Sequence, residues 1–178
     1  NALYPHAMPT TPTGHAAIAT GAYANMHGFN SYGFVDEYNK FVEITEDNSE
    51  LALEFSADGK VKKTGRSPIY LMADTVADQF VLSSKYSKKE IQAEAASFAL
   101  KPRASIPLAG CGNLAKAFWF SESDGVITSS KFYFDKIPDW LKKFNDRNQI
   151  KDGSCFVWKP FYKMNSGAYS FAEAQNYL

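Results

Sequence analysis

Three groups of residues in this 178-residue sequence have the types and spacing that chemistry can use. The first lies in Pro9-Thr10-Thr11-Pro12-Thr13-Gly14-His15, where hydroxyls stand in the turn before a run of small and apolar residues. At the start of a helix, unpaired backbone N–H groups and the helix dipole favour an anion such as phosphate. Thr11 or Thr13 there has two readings. It caps the helix, or it binds or attacks a phosphoryl group, for which its weakly nucleophilic hydroxyl needs a metal ion or an adjacent base. The second group is Lys101 and Arg103, at the end of the apolar run 95–100. In an extended chain residues i and i+2 point to one side, so both cations converge where a dianion fits. The alternative is a pair of ordinary surface charges. The third group is His6, His15 and His27, which form no H-x-x-x-H, H-E-x-x-H or D-H pair, so the sequence writes no complete metal site. His15, just inside the helix start, is expected to order the loop by hydrogen bonding. No G-x-S-x-G elbow supports a serine triad.

The elements that must position these groups follow from turns and periodicity. Residues 14–24 read as a short helix stopping near Asn25, and 25–34, with Gly28 and Gly33, as loop. The alternations at 41–44 and 51–55 predict strands around a turn at 46–49, with a second turn at 57–60. Ile69, Met72, Ala73, Val76, Ala77 and Phe80 recur at helical spacing and predict an amphipathic helix over 69–81. Residues 95–100 read as a buried strand, 117–134 as paired strands turning at Asp124-Gly125, and 137–144 as a short helix. The basic clusters Lys60, Lys62, Lys63, Arg66 and Lys85, Lys88, Lys89 read as solvated faces. A mixture of helices and strands in one domain-sized piece gives an α/β or α+β class.

Composition narrows the function classes. Nineteen Lys and Arg balance nineteen Asp and Glu, which disfavours a nucleic-acid backbone reader and a polybasic membrane arm. Hydrophobic residues at 45% and aromatics at 15% fit a packed domain. No apolar stretch approaches the ~20 residues that cross a bilayer. Cys111 and Cys155 have no C-x-x-C spacing, and both a pair and two buried thiols are compatible with the sequence. Asn1-Ala2-Leu3-Tyr4-Pro5 resembles neither a signal peptide nor an initiator segment, so the chain is expected to begin within a protein or after processing.

The segment Thr11-Pro12-Thr13-Gly14-His15-Ala16-Ala17-Ile18-Ala19-Thr20-Gly21 through His27-Gly28-Phe29 resembles the nucleophile motif T-x-x-G-H-x-x-I-x-T-G-x-x-P-x-x-H-G-[IV] of the alkaline phosphatase superfamily. The likeness is to the nucleotide pyrophosphatase/phosphodiesterase branch, and within it to threonine-dependent bacterial alkaline phosphatases. Ser97-Phe98-Ala99-Leu100-Lys101-Pro102-Arg103 to Gly110 resembles that branch's S-L-K-D-R-x-A-I-x-x-A-G. Phe118-Trp119-Phe120, Gly125 to Ser130 and Pro138-Asp139-Trp140 follow in the family's order, while 37–66 and 150–178 match loosely.

The resemblance implies an α/β fold, part of an α/β/α sandwich with a smaller inserted α+β subdomain. Residues 1–36 would carry the nucleophile loop and helix, and about 37–178 a helix and the inserted phosphate-binding part. It implies a zinc-dependent phosphomonoesterase holding two zinc ions and acting through a phospho-threonine. Thr11 would be the nucleophile and a zinc ligand, and Lys101 and Arg103 would bind the phosphoryl oxygens of a small phosphate ester. It also implies an exported, periplasmic or secreted enzyme. The family's phosphate-donating Asn falls on Tyr32, with Asn30 nearest, so either Asn30 shifts in or Tyr32 offers its hydroxyl. Ala24 stands where the family has Pro. The Asp and His zinc motifs do not occur in this chain, so the expectation is a fragment, inactive alone, completed by the rest of its own catalytic domain. The alternatives are a phosphodiesterase and a metal-free homologue with a binding or structural role.

Overall fold

The structure is a computed structural model that describes residues 7–87 and 92–148. His6, Lys88, Lys89, Cys155 and its pairing with Cys111, and the aromatic tail lie outside the described residues. Helix α1 (Thr11–Thr20) ends at Gly21, whose left-handed φ of 67° lets its N–H bond the Ala17 carbonyl. The helix expected to run to Asn25 is therefore two pieces, and the second is the single turn α2 (Ala24–His27). Ala16 is fully buried on α1 while Ile18 is exposed, so small residues form the packing face.

The middle of the chain builds two small antiparallel sheets, β1 (Gly33–Val35) with β2 (Phe41–Glu43) and β3 (Leu53–Phe55) with β4 (Val61–Gly65). The strands expected at 41–44 and 51–55 are present. The loop expected over 25–34 is not wholly a loop, because Gly33 and Phe34 pair across a turn where the Asp36 carboxylate accepts from the N–H groups of Tyr38 and Lys40. The expectation of a solvated basic face at 60–66 is overturned for two residues. The Lys62 ammonium lies 2.6 Å from Asp124, and Arg66 pairs with Glu43, each cation with only about a fifth of its side chain exposed.

Helix α3 (Val76–Tyr86) starts later than the predicted 69–81. A capping box sets the start: the Thr75 hydroxyl accepts from the Asp78 N–H and the Asp78 carboxylate from the Thr75 N–H. Ile69, Met72, Val76 and Phe80, which carried the periodicity, are all exposed. The remainder is β5 (Ala96–Ala99), α4 (Pro102–Ala109), β6 (Lys116–Ser121), β7 (Val126–Thr128) and α5 (Asp139–Asn148). β5 and β6 are parallel with α4 as the crossover, and β6–β7 is the expected hairpin, turning at Gly125 with φ 66°. The strand at 96–99 is where it was expected, but it is not buried: Phe98 and Leu100 are exposed and only Ser97 faces the interior. This mixture places the chain in the α/β class.

One core cluster joins Ile106, Ala109, Ala115, Ala117, Trp119 and Tyr133 beneath α4, and a second joins Ala16, Phe29, Ile44 and Leu71. Asp78 ties the helices together. Its carboxylate, 2% exposed, also accepts from the N–H groups of Cys111 and Gly112, just beyond α4. Gly110 sits against it with φ 91°, and a Cβ there would collide with the carboxylate. Asp78→Ala leaves buried donors unpaired and is expected to destabilise the fold by at least ~2 kcal/mol, read from denaturant unfolding of the full-length protein.

Candidate phosphate-binding site

Thr10 occupies the cap position of α1, and its side chain accepts no backbone N–H. Its hydroxyl instead meets that of the fully buried Thr13 at 2.9 Å. Neither residue expected as a possible cap plays that part. Thr11 is the first helical residue and exposed, and among the described residues no group hydrogen-bonds its hydroxyl. Its carbonyl meets the His15 Nδ1 at 2.8 Å, so His15 orders this turn. His27 is fully buried and its Nδ1 accepts from the Phe29 N–H, a structural contact.

Helix α4 packs against α1, which brings the second group of residues to the same region of the molecule. Lys101 and Arg103 do not share a face by strand alternation. β5 ends at Ala99, Lys101 is the extended cap of α4 with φ −132° and ψ 143°, and Arg103 lies in the first helical turn. Pro102 is the reason: it holds the preceding residue out of the helical region and suits the first helical position. Lys101 pairs with Glu122, in the turn between β6 and β7. The Lys101 hydrogen bond and charge, with a further contribution from Arg103, hold the Glu122 carboxyl below its usual range. Glu122 therefore feels both cations. No local pattern at Ser121-Glu122-Ser123 links it to a lysine 21 residues earlier, which is why the sequence did not reveal it.

Arg103 lies over the ring of Tyr32, with its guanidinium carbon 4.5 Å from the ring centroid. Its Nε is buried and has no hydrogen-bond partner among the described residues. A buried donor left unpaired is costly, and it asks for an acceptor. The structure thus joins Tyr32 to Arg103 and Lys101 to Glu122. Asn30 is exposed, with its backbone N–H on the Gly28 carbonyl.

Among the described residues, the one cluster with metal-ligand chemistry is Asp74, Asp78 and Cys111. It fits a metal poorly. Both Asp78 oxygens already accept backbone N–H groups, and burial, reinforced by the charges of Asp78 and Asp74, pushes the Cys111 thiol up, away from the thiolate that binds metals. Thr11 is a single hydroxyl, so the described residues do not compose a zinc centre. Cys111→Ser is expected to leave the metal content of the full-length protein unchanged by elemental analysis; loss of one equivalent would assign a metal to this cluster.

No family model matches the chain. Alkaline phosphatase PafA of Elizabethkingia meningoseptica is 32% identical over 143 residues, covering 79% of this chain and 24% of that protein. A calcium-transporting ATPase of Myroides odoratus is 28% identical and alkaline phosphatase PhoV of Synechococcus elongatus 26% identical, each over 99% of this chain and about 30% of its own length. The chain thus spans a quarter to a third of the curated relatives it matches. The crystal structure of PafA superposes with a TM-score of 0.70 at 28% identity, over 89% of this chain and 29% of that one. A PafA variant substituted at one threonine, one asparagine, one lysine and one arginine superposes equally well, at 26% identity. With these relatives and this shared fold in hand, the chain belongs to the alkaline phosphatase superfamily, as a segment of that fold.

Proposed function

We propose that this segment supplies the nucleophile and the phosphoryl-binding cations of a phosphomonoesterase. The observation that carries the reading is Thr11: an exposed hydroxyl on the first residue of α1, with no hydrogen bond among the described residues, on a helix packed against the one that begins with Lys101 and Arg103. The variant PafA adds support. Its substituted threonine and asparagine are as far apart in sequence as Thr11 and Tyr32, and its lysine and arginine as far apart as Lys101 and Arg103.

In this reading the Thr11 oxygen bonds to phosphorus while the ester oxygen leaves with its electron pair and takes up the proton that the Thr11 hydroxyl gives up; water then attacks phosphorus, its proton restores the Thr11 hydroxyl, and inorganic phosphate is released. Lys101 and Arg103 stabilise charge on the phosphoryl oxygens as it builds in the transition state. The α1 N-terminus adds the positive end of a helix dipole. The implied cofactor is a pair of zinc ions held by ligands other than those described here, and the implied setting is periplasmic or secreted. Among the described residues no helix is long and apolar enough to cross a membrane.

A phosphodiesterase is the second reading, and Glu122 is what favours it. Its carboxylate beside both cations leaves one net positive charge, which matches the monoanion of a diester better than the dianion of a monoester. In the zinc-loaded full-length protein, Thr11→Ala is expected to abolish turnover of aryl phosphate esters. Lys101→Ala and Arg103→Ala should each lower monoester turnover by more than about tenfold, or ~1.4 kcal/mol. Wild-type rates from both would remove their assigned roles. Glu122→Gln is expected to raise the ratio of monoester to diester turnover by roughly two- to fivefold, the range of an exposed ion pair.

A further inference from the structure

We infer that Tyr32 is a positioning residue for Arg103, and that the face of its ring, rather than its hydroxyl, is the working part. The inference rests on the phosphoryl-binding role proposed for Arg103. The guanidinium carbon stands 4.5 Å above the ring centroid, a cation–π contact in which the ring fixes the height and tilt of the group. A guanidinium lying on a ring keeps its N–H donors at its edge, free to meet an anion's oxygens in a bidentate contact.

The ring is itself held in place. It stacks on Phe41 with centroids 6.4 Å apart and planes 24° apart, and the Tyr32 carbonyl accepts from the Ile44 N–H at 3.0 Å. Gly33 permits that stack, because a Cβ there would stand 2.6 Å from the Phe41 ring and collide with the Val42 carbonyl. The chain between α2 and β2 therefore sets the Tyr32 ring in contact with both Phe41 and Arg103. Among the described residues no group hydrogen-bonds the Tyr32 hydroxyl, so nothing fixes that hydroxyl as a donor.

Calorimetric titration of the metal-loaded full-length protein with inorganic phosphate tests this. Replacing the ring by Tyr32→Leu, or by Tyr32→Gln should the leucine variant not fold, is expected to weaken phosphate binding about fivefold. Tyr32→Phe is expected to bind within about twofold of wild type, because the ring face is kept. In an Arg103→Ala background, which by itself should weaken binding more than tenfold, Tyr32→Leu should add nothing, since the group it positions is gone. If Tyr32→Phe is as weak as Tyr32→Leu, the hydroxyl is the donor and the inference is wrong. If the two losses add, Tyr32 acts on phosphate independently of Arg103 and the inference is equally wrong. Wild-type affinity from Arg103→Ala alone would instead remove the phosphate role of Arg103, and the positioning role with it.

Discussion

The site depends on the burial of α4 on two sides at once. Ile106 is fully buried and Ala109 nearly so, beneath a helix that packs both on the β5–β6 pair and on α1. Ala16 on α1 and Ala117 on β6 are also fully buried, and such small side chains let the backbones come close. The Ser105 hydroxyl completes the seam: it donates to the Ser97 carbonyl and accepts from the Phe118 N–H, bridging both parallel strands from within the helix. With α4 fixed in this way, the residues at its start have no freedom to drift. Lys101 and Arg103 emerge beside the helix that begins with Thr11, although 90 positions separate the first cation from the threonine.

The two two-stranded sheets are too small to hold themselves together, since such pairs are marginal in water. The β3–β4 pair is held by polar bonds to the three-stranded sheet instead. The Thr128 hydroxyl donates to the Phe55 carbonyl, Ser129 to Ala117, and Ser130 to Arg66, each at 2.7 Å. The Phe55 N–H donates to the Ser129 carbonyl, and the Trp119 indole donates to Glu54 at 2.8 Å. Thr128 and Ser130 therefore couple the two sheets, while Ser129 between them spends its donor on Ala117 within the three-stranded sheet. This coupling ties β3–β4 to the sheet that carries β5, while Tyr32, just before β1, reaches Arg103 through its ring.

Against that well-bonded interior, the groups without partners stand out. Asp78 accepts four donors and Ser105 bridges two strands, whereas the Thr11 hydroxyl and the Arg103 Nε meet nothing among the described residues. The Arg66 Nε and the Tyr133 hydroxyl are likewise buried without a hydrogen-bond partner among the described residues, so the lack of a partner by itself does not single out the Arg103 Nε. Two cations act on one carboxylate, so Glu122 offsets part of their positive charge.

Much of this was legible in the sequence wherever neighbours along the chain decide the outcome. The small-residue helix after Thr10, the Asp124-Gly125 hairpin and the strand before Lys101 are local patterns, and the motif resemblance pointed to the family that the relatives and the fold show. The helix over 69–81 misled because its apolar spacing was real but exposed, and the Thr75–Asp78 capping box, a local signal in principle, set the true start. Lys101 and Arg103 were expected to converge by strand alternation, but Pro102 begins a helix between them, so tertiary packing alone determines where each cation goes. Three further facts belong to the tertiary structure: that Tyr32 offers its ring to Arg103, that Glu122 answers Lys101, and that Asp78 binds the loop after α4. Each pairs residues 21 to 71 positions apart, and a sequence carries no period or turn that encodes such a meeting; it is fixed only when the core beneath α4 closes.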